Sequence, residues 1–172
     1  MNNELVAFIA EGNTEQAIID VLLDHDALRC TRENVLQEEV IRCRNGKRFA
    51  KQYLNKSFGQ KIHIYRILDS RSENFVLPKA YLPKVSEVTN LTTRPEIEIL
   101  FILLHTDYKK YTNGNYKKPS IFVKEHYHDL KKVKSYEDNF QFWDDHFDEL
   151  IRILKQYKSY RPNEDTLADL LK

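Results

Sequence analysis

Glu4-Leu5-Val6-Ala7-Phe8-Ile9-Ala10-Glu11-Gly12-Asn13-Thr14-Glu15 sets the architecture of the chain. Leu5 to Ala10 is apolar without a break, the pattern of a strand buried on both faces rather than half-exposed. The run stops on Glu11, and Gly12 lets the chain turn sharply there. Asn13 or Thr14 can cap a helix over 14–23, whose inner stripe is Ala17, Ile18, Val21 and Leu22. Such a strand delivers Glu11 to its own C-terminal tip. In open α/β sheets ligands bind at that edge. A carboxylate there is an expensive choice for structure alone and a natural one for holding a metal or a proton.

The pattern repeats downstream. Val35–Cys43 alternates in part and predicts a second strand, and Lys47–Asn55 predicts a basic helix carrying Phe49, Tyr53 and Leu54. Ile62–Leu68 is a strong strand that ends on Asp69. Strand, helix, strand, helix, strand in that order points to a parallel sheet flanked by helices, an α/β fold. Residues 70–94, broken by Pro78 and Pro83, read as irregular. Pro95 is expected to open a helix whose run to Leu104 is apolar nearly all round and therefore buried. Beyond it, Pro119 and Ser120 begin a short helix, Ser135 caps the next element, 148–157 is an amphipathic helix and 163–171 a short terminal one. The expected organisation is an α/β core over 1–110 with a helical extension over 111–172 packed on it as a single unit.

Size and composition agree. With 172 residues, 41% hydrophobic and 31% charged, the chain is long enough to bury one core and polar enough to stay solvated. A net charge of +1 identifies no partner, so any charge signal must be local. No apolar stretch approaches the roughly 20 residues of a membrane span, and no membrane partner is expected. No export signal is visible, and two cysteines, Cys30 and Cys43, fit a reducing compartment. A cytoplasmic location is therefore expected.

If the strands ending on Glu11 and Asp69 are parallel neighbours, both carboxylates reach one sheet edge. Magnesium takes hard oxygen ligands and often only one or two carboxylates, completing its shell with water and phosphate. A solvated loop acid is the plain alternative for each. Glu96 and Glu98 fall in a predicted first helical turn, where the helix dipole favours acids without any chemistry. The functional alternative makes Glu98 a further ligand at the sheet edge, with His105 seven residues on, along the same helical face.

An apolar strand followed by Glu-Gly-x-Thr-Glu and a helix resembles the first motif of the TOPRIM domain, in particular the small TOPRIM-like proteins of the RloB and OLD-nuclease type. Arg94-Pro95-Glu96-Ile97-Glu98 through His105 is similar to the RloB-type stretch. The resemblance spans roughly residues 4–110. It implies a compact parallel sheet and a magnesium (or manganese) site for phosphodiester chemistry on DNA or RNA. It implies Glu11 as principal acid and metal ligand and Asp69 as a second ligand. The setting it implies is bacterial, often defence against phage or mobile elements, where a protein partner is expected. Asp69-Ser70-Arg71 departs from it, because Asp-x-Asp would be expected. Arg71 removes a ligand and instead offers a guanidinium that can grip phosphate, while Glu73 lies two residues further on. A magnesium-dependent nuclease or phosphoryl-transfer enzyme is thus one expectation. A degenerate domain that binds nucleic acid or regulates without cutting is the other.

Lysines with interleaved tyrosines between 107 and 134 form the chain's best nucleic-acid surface, with Lys117, Lys118, Lys131 and Lys132 as the contacts to phosphate. The plain alternative is a solvated lysine face whose tyrosines pack on the core. Arg42, Arg44, Lys47, Arg48 and Lys51 form a second basic cluster around Gly46, suited to phosphate or simply to solvating a helix start. In 137–149 the charges are all acidic, and with Phe140, Phe142, Trp143 and Phe147 the segment reads as a packing element. No phosphate-binding loop, dinucleotide fingerprint, zinc-protease pair or hydrolase elbow is present.

Overall fold

The computed structural model describes residues 4–68, 74–133 and 135–172, the side chains of Lys131 and Lys132 excepted. Four parallel strands form one sheet: β1 (Leu5–Ala10), β2 (Ile41–Arg42), β3 (Ile62–Leu68) and β4 (Val85–Thr92), in the order β2-β1-β3-β4. Helix α1 (Asn13–Asp24) links β1 to β2, and α2 (Gly46–Tyr53) links β2 to β3. The first connection steps one way along the sheet and the second steps back across β1. Right-handed crossovers then place the two helices on opposite faces. Burial agrees: Val6, Phe8 and Ala10 share a cluster with Ile18 and Leu22 of α1, whereas Ala7 and Ile9 pack with Phe49 and Ala50 of α2. The unbroken apolar run of β1 is therefore apolar because both of its faces are covered.

Beyond β4 the chain is helical: α3 (Ile99–Leu104), α4 (Tyr108–Asn113), α5 (Pro119–His126), α6 (Tyr136–Asp145) and α7 (Phe147–Tyr160). These helices thicken the α1 face. Trp143 of α6 and Leu150 and Ile153 of α7 lie fully buried in the same cluster as Ile18 and Phe8. Ser135 caps α6 as expected, its hydroxyl accepting from the Asp138 N–H at 3.0 Å. A polar staple crosses this layer. Asp20, 6% exposed, accepts from Arg32 Nη1 at 2.9 Å and from the Tyr136 hydroxyl at 3.0 Å. Burial and the Asp20 charge push the Tyr136 phenol up to about 12. Among the described residues no helix is long and apolar enough to cross a membrane.

Four local expectations are corrected. The strand expected over 35–43 shrinks to Ile41–Arg42, because Gln37 and Glu38 take left-handed backbone (φ 62° and 57°) that an extended chain cannot hold. The 70–94 stretch hides β4, an edge strand with Leu91 as its one buried residue and no continuous apolar run. The helix expected from Pro95 begins at Ile99, after a tight turn that includes Ile99 N–H to Glu96 O at 3.1 Å. The terminal helix is one short 3-10 turn, Leu167–Leu170.

Candidate functional site

The strand order locates the site before any side chain is considered. β1 sends its connection toward β2, and β3 sends its own toward β4, so the direction of winding reverses between two adjacent parallel strands. A crevice opens at the C-terminal ends of such a pair, the place where ligands bind in open α/β sheets. Ile9 lies beside Arg66 in register, so the C-terminal ends of β1 and β3 lie side by side at this edge. Glu11 therefore stands at the switch point. Asp69, Arg71 and Glu73 follow β3 but lie outside the described residues.

Strand alternation carries Glu11 to the α2 face with Ala7 and Ile9. There its carboxylate, 14% exposed, meets Arg44 Nη2 at 3.2 Å. Arg42, beside Ala10 in the sheet, donates from Nη1 to Asn13 Oδ1 at 2.8 Å and from Nη2 to the Glu11 carbonyl at 3.1 Å. Asn13 is thus held by an arginine instead of capping α1. The N-cap is Gly12, in ordinary extended backbone, and no side chain caps it. A Cβ at Gly12 would lie 2.5 Å from Glu15 Oε2, the movable end of a side chain that folds back over the helix start, so neither φ nor fixed backbone demands glycine here. Glu11, Arg42, Arg44 and Arg48 together line a cavity of about 310 Å³.

A second depression of about 300 Å³ lies against the same turn, lined by Gly12–Glu15 together with Glu96 and Glu98. Its two downstream acids have different duties. Glu96 Oε2 accepts the Ser120 N–H at 3.0 Å and Oε1 meets Lys118 Nζ at 3.1 Å, so Glu96 caps α5. Burial pulls its carboxyl upward, but the bonds from Ser120 and Lys118 outweigh that and hold it below the ordinary value. Glu98 is the N-cap residue of α3, without a side-chain cap bond. The fold therefore brings Glu98 to the turn that follows Glu11, although the two carboxylates line different cavities. Among the described residues no three His, Cys, Asp or Glu side chains gather closely enough to form a ready metal cluster. His105 sits at the other end of α3, stacked on Tyr127 (centroids 3.9 Å apart), away from the edge.

The tyrosines of the lysine-rich segment are engaged in packing. Tyr111 and Tyr116 set their edges against Phe122, Tyr108 stacks on Tyr160, and Tyr127 donates to Asp107 Oδ2 at 2.9 Å. Lys117 and Lys118 are exposed, and Lys118 pairs with Glu96; the side chains of Lys131 and Lys132 and all of Lys134 lie outside the described residues. His126 stacks on Phe122, with Nδ1 3.0 Å from the Phe122 carbonyl oxygen and Nε2 3.3 Å from the Tyr116 hydroxyl.

Sequence reasoning passed over Arg66. It lies in β3, 2% exposed, with Nη1 donating to Asn90 Oδ1 at 3.2 Å and its guanidinium 4.5 Å from the Phe75 ring centroid. A charged residue inside the apolar run of a central strand was the available signal. No protein-family model, curated protein or solved structure matches the chain.

Proposed function

We propose that this chain is a TOPRIM-like, magnesium- or manganese-dependent phosphodiester-cleaving or phosphoryl-transfer enzyme acting on nucleic acid. The observation that carries the reading is the sheet order, which sets the Glu11 turn at the β1/β3 switch point. Oxygen donors at that edge suit magnesium, which needs only one or two carboxylates from protein. Glu11 and Asp69 are the proposed ligands, with Glu98 completing the shell. The bound ion would polarise the phosphoryl oxygen and make water a better nucleophile. The chain's own part is to orient Glu11 through Arg44, to fix the loop through Arg42, and to set Arg71 against developing phosphate charge. A role in phage defence, with a protein partner, belongs to the same proposal.

The pairing of Arg44 with Glu11 favours a second reading, a TOPRIM-like module that binds nucleic acid without cutting it, and Asp69-Ser70-Arg71 points the same way. Two measurements separate them. Magnesium or manganese raises the melting temperature of the wild type, but not of Glu11→Gln, if the edge holds metal. Incubation with DNA and RNA, with and without metal, reads cleavage directly. Binding without cleavage on every substrate selects the module.

A further inference from the structure

Three arginines line the cavity beside Glu11, and that carboxylate engages only one of them. Arg44 shares its charge with Glu11. Arg42 donates only to neutral oxygens, those of Asn13 and the Glu11 main chain. Among the described residues no carboxylate pairs with Arg42 or Arg48. Two unneutralised guanidiniums thus face one concavity of about 310 Å³. All three arginines are exposed, so an anion can reach them from solvent, and guanidinium forks match phosphate oxygens bidentately. Arg42 is moreover pre-set, since two of its nitrogens are already fixed to the loop and its plane cannot swing freely.

We propose that this cavity recognises a terminal phosphate, a phosphate monoester at the end of a nucleic-acid strand. The charge selects the monoester: two free positive charges match its roughly two negative charges at neutral pH better than the single charge of a backbone diester. The position gives the consequence. Glu11 lines the same cavity, so a strand anchored there by its end places its outermost phosphodiesters nearest the carboxylate, and the chain works inward from an end. This rests on the reading of the chain as a protein that acts on nucleic acid.

The test is fluorescence anisotropy in EDTA, with internally labelled oligonucleotides that carry a 5′-phosphate, a 3′-phosphate or hydroxyls at both ends. One of the phosphorylated ends is expected to bind about tenfold tighter than the hydroxyl form, as charge-assisted bonds to a monoester allow. Arg48→Ala should erase most of that preference at unchanged melting temperature, Arg44→Ala/Arg48→Ala should erase the rest, and Arg48→Lys should keep part of it. Equal affinity for all ends, or a preference that survives the double variant, overturns the proposal. If hydroxyl-ended strands bind equally well and are cut by the wild type but not by Glu11→Gln, the cavity proposal falls and the enzymatic reading stands. If no oligonucleotide binds, yet pyrophosphate raises the melting temperature of the wild type and not of the double variant, the anion site stands and the nucleic-acid reading falls. If neither oligonucleotide nor pyrophosphate binds, both fall.

Discussion

The turn after β1 has two unlike neighbours. On one side Arg42, Arg44 and Arg48 surround a single carboxylate; on the other Glu15, Glu96 and Glu98 gather with no arginine among the lining residues. The cavities are nearly equal in size, so the contrast is chemical. The cationic side leaves charge unmatched. The acidic side has one member already committed to the fold, because Glu96 ties the turn before α3 to the start of α5. Acidity alone is therefore a poor guide to chemistry here: of two glutamates two residues apart, one caps a helix and one faces the turn.

The largest effect should come from Glu11, which belongs to the cationic side. Glu11→Gln is expected to lower metal-dependent cleavage of an end-labelled oligonucleotide by about 10²–10⁴-fold, the usual span for a lost acid or base. An unchanged rate would remove Glu11 from the chemistry. On the acidic side, Glu98→Gln should raise the magnesium needed for half-maximal rate by roughly tenfold. It should move the melting temperature less than Glu96→Ala does, because α3 has no side-chain cap bond to lose there. Glu96→Ala should do the reverse. Losing the cap of α5 is worth about 1 kcal/mol, seen as a fall of about 3 °C by calorimetry, at an unaltered magnesium requirement. Should Glu96→Ala change the magnesium requirement and Glu98→Gln cost more stability, the division of labour is wrong.

The acid limb of the stability curve sharpens the same contrast. The folded carboxyl of Glu96 titrates below its ordinary value of 4.5. Its contribution is therefore complete above about pH 4.5 and is lost as pH falls through the lower folded value. The difference in melting temperature between wild type and Glu96→Ala should shrink over that range. The smallest effect is expected from neutralising Lys117, Lys118, Lys131 and Lys132. Affinity for nucleic acid should weaken evenly across sequences, with a shallower salt dependence. Fully retained affinity and slope would leave the lysine face without a role.

What the sequence discloses follows what each element buries. β1 and β3 are legible because strands covered on both faces must be apolar throughout, and their order with α1 and α2 is enough for a parallel sheet. β4 escapes notice because an edge strand needs only Leu91 buried and reads Val-Ser-Glu-Val-Thr-Asn elsewhere. The segment 35–43 deceives in the other direction: Val35, Leu36 and Val40 are buried around turns, and only Ile41 and Arg42 lie along a strand. At the site, Glu11 announces itself as an acid ending an apolar run. Its company does not. Arg44 reaches it only through the pairing of Ile9 with Ile41, and Glu96 finds Ser120 from 24 residues away. Contacts of that kind depend on packing that no local pattern encodes.

Gly46 has a bearing on all of this. A Cβ at that position would lie 2.6 Å from the carbonyl oxygen of Val76, so the first residue of α2 and the chain returning from β3 touch backbone to backbone. No side chain lies between them to absorb a shift. The first turn of α2, which carries Arg48, is thus seated directly on the main chain at Val76. Gly46→Ala would force the two apart, and the arginine cavity, whose wall includes Asn45 and Arg48, should lose its shape before the acidic depression does.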